Sequence, residues 1–168
     1  MDTPLPINDA VSIAAGGPEL LHRIGPLWRD LRAHHAALAP LWRDGLLAAT
    51  FDGREAELLG KSAAGGGELL VLLASVGERP IGYCVCTLTA TGDGEVDSLY
   101  VDPAFRRRGV ARELMSRAMD WLHGHSPTSI VVDVLACNDE ARRLYERYGF
   151  HARTLRMRYV QPSPNQPS

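Results

Sequence analysis

Lysine is nearly missing from this chain of 168 residues: Lys61 stands alone among eighteen basic side chains, and the rest are arginine. The arginines are spread along the sequence, a signature of genome composition, with one local exception in the run Arg106-Arg107-Arg108. Cysteine is also scarce. Cys84, Cys86 and Cys137 make an odd set without zinc-type spacing, which argues against a metal site. Cys84 and Cys86 fall two apart on one face of an expected strand, badly oriented for a bridge, and read as buried reduced thiols. The start lacks the basic and apolar segments of a secretory leader, and no apolar run is long enough to span a bilayer. A net charge of −2 supplies no bulk attraction to nucleic acid or to an anionic membrane. The expectation is a cytoplasmic protein with no metal, no nucleic-acid partner and no membrane partner.

What is present suits one folded unit. The apolar fraction is 45% and the charged fraction 23%, ordinary values for a globular chain that buries a single core. Residues 1–9 read as a loose lead-in, 10–160 as one domain, and the proline-rich 161–168 as a disordered tail. Val11 to Ala15 suggests a short strand, and Pro18 is placed to open a helix. Leu20, Leu21, Ile24, Leu27, Trp28 and Leu31 recur at three and four, giving an amphipathic helix to about His35 with a kink or break at Gly25-Pro26. A second helical piece is expected between Arg54 and Ala64. The pentapeptide at Pro26–Asp30 recurs at Pro40–Asp44, too short a repeat to carry weight.

From Glu68 the texture turns to strands: Glu68–Val76 and Pro80–Ala90 joined by a turn at Glu78-Arg79, then Glu95–Val101. Helix follows from Gly109 to about His123. Ser129–Leu135 is a β-branched strand, Asn138 caps a helix running to Tyr148, and Phe150–Val160 holds one or two closing strands. A strand, helix and strand in that order imply a right-handed crossover, and hence a mixed sheet with helices on both faces.

The informative stretch is Val101-Asp102-Pro103-Ala104-Phe105-Arg106-Arg107-Arg108-Gly109-Val110-Ala111, a short loop from a strand into a helix. Unbonded N–H groups at the helix start, the helix dipole and three arginines converge there, and glycine lets a ligand approach the backbone. The chemistry that fits is a phosphate-bearing ligand. The loop lacks Gly-x-Gly-x-x-Gly and no acidic ribose anchor follows, which disfavours a dehydrogenase.

Arg106-x-x-Gly109-x-Ala111 after this strand resembles the acetyl-CoA motif of the GNAT superfamily of N-acetyltransferases. Downstream, Asn138-x-x-Ala141-x-x-Leu144-Tyr145-x-x-x-Gly149-Phe150 is similar to a second segment of that family, in the right order and at the right distance. The resemblance covers Glu95 to Phe150. It implies an α/β fold with a mixed, mostly antiparallel sheet of six or seven strands and helices on both faces. It also implies acetyl-CoA as cosubstrate and an acetyl transfer to a primary amine by direct attack in a ternary complex. The pyrophosphate would lie on the backbone from Arg107 through Gly109, Val110 and Ala111 to Arg112, with the Arg106–Arg108 side chains reaching outer phosphates. The pantetheine arm would bond the main chain of Leu99, Tyr100 and Val101 like an added strand, and Asn138 would touch it.

Tyr145 matches the family tyrosine that protonates the departing thiolate, and a phenol can do so while staying neutral. Tyr148 is taken as structural. Glu95 ranks first as general base, with Asp133 and Asp97 behind it; Glu95 and Asp97 are two apart on one strand and share a face. A backbone N–H near Leu99 would meet the oxyanion. His34-His35 is expected to border the acceptor pocket; nucleophilic catalysis by Cys137 would need an activating base beside it, and a covalent acetyl there is disfavoured because the resemblance implies direct transfer in a ternary complex. The acceptor is expected to be a small-molecule amine, with a protein or peptide amine, or a catalytically silent CoA-binding module, as alternatives. Both a monomer and a homodimer are compatible with the sequence.

Overall fold

A computed structural model of the chain describes residues 10–63 and 66–160. The lead-in at 1–9 and the tail at 161–168 lie outside the described residues. Strand β1 is Val11–Gly16; the first helices are α1 (Leu21–Leu38), α2 (Arg43–Ala48) and α3 (Phe51–Ala63). Strands β2 (Glu68–Val76), β3 (Arg79–Leu88) and β4 (Asp93–Val101) follow, then α4 (Val110–Gly124), β5 (Ser129–Val131) and α5 (Asp139–Glu146). The five strands lie in sequence order in one sheet. All neighbours are antiparallel except the β4–β5 pair.

Alternation along β2 divides the core in two. Leu70, Leu72 and Ala74 face α4 and join Cys84, Cys86, Leu114, Met115 and Tyr145. Leu69, Val71 and Leu73 face the other way and meet Leu21, Ile24, Trp28 and Leu31 of α1 and Leu58 of α3. Strand β2, interior to the sheet, therefore reads as an unbroken apolar run because both of its faces are covered.

Several expectations need correction. Helix α1 runs through Pro26 without a break, and Gly25 admits the ring of Phe51, whose Cδ1 lies 3.2 Å from where a Cβ would sit. The β2–β3 turn is Gly77-Glu78, one residue earlier than expected, with Gly77 at φ +57°. Helix α2 is an addition. Strand β5 stops at Val131 instead of Leu135, and residues 150–160 contain no strand, so among the described residues the sheet has five strands and not six or seven. The physical reason is one and the same: β5 pairs with β4 only from Asp93↔Ser129 to Glu95↔Val131. Beyond that point it diverges, and no described residue pairs with its outer edge.

Candidate active site

Divergence of β5 leaves β4 from Val96 onward without a neighbour on that side, while its other side stays bonded to β3. A cleft of about 270 Å³ opens there. Its walls include Leu99, Tyr100 and Val101 from β4, Arg106, Arg107, Gly109, Ala111 and Arg112 from the loop and the start of α4, and Asn138. Nine of the expected cofactor contacts thus meet in one place. Two do not line it: Val110 is buried in the core, and the Arg108 guanidinium lies over the Phe105 ring at 5.4 Å.

The loop's backbone suits an anion. Arg107 (φ +62°) and Gly109 (φ +83°) both take left-handed conformations, which turn successive N–H groups toward one side. Glu113 N–H is bonded to the Gly109 carbonyl at 3.0 Å, so the N–H groups of Val110, Ala111 and Arg112 precede the helical ladder and have no intrahelical acceptor. Arg106 donates from Nε to the Val101 carbonyl at 3.0 Å and lies over the Tyr100 ring, so it shapes the strand end. Asn138 does cap α5, its Oδ1 accepting from Ala141 N–H at 3.1 Å. Arg147, Leu31 and Glu140 also line the cleft; sequence reading gave them no ligand role, because Glu140 and Arg147 fill unspecified positions of the second segment and Leu31 reads as a core residue of its helix. His34 lines it as well, and burial together with nearby Arg106 lowers its basicity.

Tyr145 is elsewhere. It is only 7% exposed, belongs to the core beneath the sheet with Cys84 and Cys86, and stacks edge-on against Phe150 at 5.8 Å. Burial, and then the neighbouring thiols, push its phenol well above the usual range, so it remains protonated. Ala141 and Leu144 of the same helix line the cleft, whereas Tyr145 does not. Tyr148 bonds the Arg112 carbonyl at 2.9 Å and ties α5 to α4.

Glu95 and Asp97 form a second centre that no motif announced. A bulge in the β3–β4 pairing leaves Asp97 without a Cα partner, and its side chain is fully buried. Lys61 Nζ donates to Asp97 at 2.7 Å and to Glu95 at 2.8 Å. Thr87 donates to Asp97 at 2.6 Å, and Arg54 adds a contact at 3.3 Å. Burial works against the Lys61 ammonium, but its bonds to Asp97 and Glu95 outweigh that and raise its pKa. The solitary lysine was the available signal. Asp133 lies past the end of β5, exposed, with no hydrogen bond or ion pair among the described residues. Cys84 and Cys86 are free and buried, with their sulfurs 4.0 Å apart, and Cys137 is free and exposed. No metal-binding group of side chains and no helix long and apolar enough to cross a membrane occurs among the described residues.

A sequence profile described as the acetyltransferase (GNAT) family matches residues 29–150. The ribosomal protein bS18-alanine N-acetyltransferase of Haemophilus ducreyi is 28% identical over 100 residues, 60% of this chain and 68% of that protein. The N-alpha-acetyltransferase RimI of Mycobacterium tuberculosis is 36% identical over 69 residues, 41% of this chain and 42% of that protein. The aminoglycoside N-acetyltransferase AAC(6')-Iy, solved in complex with CoA, superposes with a TM-score of 0.57 at 21% identity, covering 95% of this chain and 99% of that one. That last likeness establishes the fold.

Proposed function

The chain belongs to the GNAT family of acetyltransferases and is an acetyl-CoA-dependent N-acetyltransferase, and on that premise we propose how its residues work and which amines it accepts. One observation carries the reading. The open edge of β4 leads straight to the free N–H groups at the start of α4, so an extended arm and a diphosphate fit along one continuous backbone track. Arg107, Arg112 and Arg147 on the same walls complement the phosphates.

Acetyl-CoA supplies an acetyl group already activated as a thioester. Glu95 takes the proton of the incoming amine: Lys61 engages its Oε2 and leaves Oε1 without a partner. A main-chain N–H near Leu99 meets the oxyanion. Tyr145, buried one residue beyond the cleft-lining Leu144, is the tyrosine the motif offers to protonate the departing sulfur, a role that requires the thioester to reach it past the cleft wall. Asp97 serves differently from Glu95. Wholly buried and bonded to Lys61, Arg54 and Thr87, it holds the base in place.

The acceptor is a small-molecule primary amine that is not a polycation. Its support is electrostatic: the carboxylates of Glu95 and Asp97, which would otherwise attract extra ammonium groups, are already paired with Lys61 and Arg54, and the exposed Glu57 pairs with the same two cations. Leu41, Trp42 and Leu47 give the α1–α2 corner an exposed apolar surface suited to an aromatic or aliphatic group beside the amine. Thiol release measured over an amine panel tests this, with turnover expected for apolar monoamines above spermidine and aminoglycosides. The reverse order would overturn it. A second reading, the α-amine of a peptide, draws support from the similarity to the bS18-alanine and N-alpha acetyltransferases, and preferred acetylation of an N-terminal alanine peptide in the same panel would establish it. Acetyl-CoA binding without turnover of any amine would mark a silent module instead.

A further inference from the structure

His34 lines the cofactor cleft from α1, yet the mechanism above gives it no part. It is half-buried and is the only histidine on those walls. Among the described residues only His125 has its ring nitrogens bonded, so both nitrogens of His34 are free to meet a ligand. Its positive neighbour Arg106 bonds the Val101 carbonyl, where β4 ends and the phosphate loop begins. His34 thus stands where an extended arm gives way to a diphosphate.

The charges around it are unequal. Arg106 and Arg107 come from the loop, Arg112 from α4, and Arg147 and Glu140 from α5. His35 is its neighbour on α1, with ring centroids 6.2 Å apart. None of the four arginines enters the ion pairs formed among the described residues. Four cations against one carboxylate leave the cleft positive, and an imidazolium is disfavoured there. Burial first, and then Arg106, lower the His34 pKa below the ordinary 6.5, with Glu140 opposing them. A diphosphate reverses the balance. Its negative charges favour the protonated ring, which then offers two N–H donors to phosphate oxygens.

We propose that His34 is a ligand of the cofactor's diphosphate and holds a proton that enters with acetyl-CoA. His34 belongs to neither sequence motif, and this role rests on the cofactor track proposed above. Because the ring binds its proton more tightly in the complex than in the free protein, its contribution is complete below the free-protein pKa. That contribution is lost as the pH rises through the pKa of the complex. At alkaline pH the backbone N–H groups and the arginines still hold the ligand, so binding weakens without vanishing.

Titration calorimetry with dephospho-CoA tests this, because that probe keeps the diphosphate and lacks the 3′-phosphate, which itself titrates at about pH 6. Near the ordinary histidine value of about pH 6.5, runs in PIPES and in ACES, buffers of unlike ionisation enthalpy, should show net proton uptake on binding. Affinity should fall about fivefold from mildly acid to mildly alkaline pH, the worth of one partly exposed ion pair. His34→Gln should bind about fivefold more weakly than wild type on the acid side, match it on the alkaline side and take up no proton. His35→Gln, off the cleft walls, should keep the uptake. Binding without proton uptake overturns the proposal and leaves the cofactor track standing, as does uptake that survives His34→Gln. Failure of both dephospho-CoA and acetyl-CoA to bind takes the track down with it.

Discussion

The two halves of β4 are built on opposite terms. From Leu99 to Val101 the strand is open on one side among the described residues, and the cleft beside it leaves room for an extended ligand. From Glu95 to Asp97 the same strand is closed by side chains, with two carboxylates, a lysine, an arginine and a threonine satisfying one another. Binding is written in main-chain geometry, which many sequences can present. The charged half depends on side chains brought from α3 and β3, and on a bulge that turns Asp97 inward. A strand can therefore carry both the proposed cofactor track and the proposed proton-handling centre within seven residues, provided the carboxylates of the second are paired.

The largest effect is expected at the closed half. Asp97→Ala leaves Lys61 and Arg54 facing a buried gap, and removal of one member of a buried ionic group costs about 3–5 kcal/mol. Calorimetric unfolding should show a transition lower by roughly 10 °C, at about 2–4 °C per kcal/mol for a chain of this length. An unchanged transition would mean that the network contributes no stability. Next comes Tyr145→Phe, expected to lower kcat about a hundredfold with acetyl-CoA affinity intact, in keeping with loss of a general acid. Equal loss of turnover and affinity would assign the residue to packing, as its burial with Cys84 and Cys86 permits.

At the open half, Gly109→Val forces a β-branched side chain into φ +83° although no atom lies within 4 Å of its Cβ. The strain is about 1–3 kcal/mol, and titration calorimetry should show acetyl-CoA binding weakened by about tenfold with an intact core. The smallest effect concerns pH. Burial, then the positive neighbours His34 and Arg32, lower the His35 pKa from 6.5 to about 4. The unfolded chain takes up its proton first, so this stabilisation is complete above pH 6.5 and fades as the pH falls toward 4. His35→Gln should flatten denaturation midpoints across that window.

Sequence made the open half legible because its signals are local. Gly109, the arginine run and the Asn138 cap lie within a few residues of the contacts they make. The helical and strand periods of α1, α4, β2 and β3 were equally plain. The closed half was only half visible: Glu95 and Asp97 announce themselves, but Lys61 reaches them from 34 and 36 residues away, and no periodicity encodes such a meeting. Phe150–Val160 has a strand's alternation and no strand's bonds, because alternation records a local preference and says nothing about whether a neighbouring strand is there to pair with. Asp133 shows the same limit. A lone acid in a β-branched run invites a catalytic reading, yet it stands exposed past the end of β5.

The uniqueness of Lys61 makes the charged centre chemically addressable. No other side chain carries a primary ammonium, so an amine-directed reagent that modifies a lysine can have met only this residue. Held by carboxylates at 2.7 and 2.8 Å, that nitrogen is protected from acylation for as long as its ion pairs stay closed. The speed of its labelling accordingly reads how often they open.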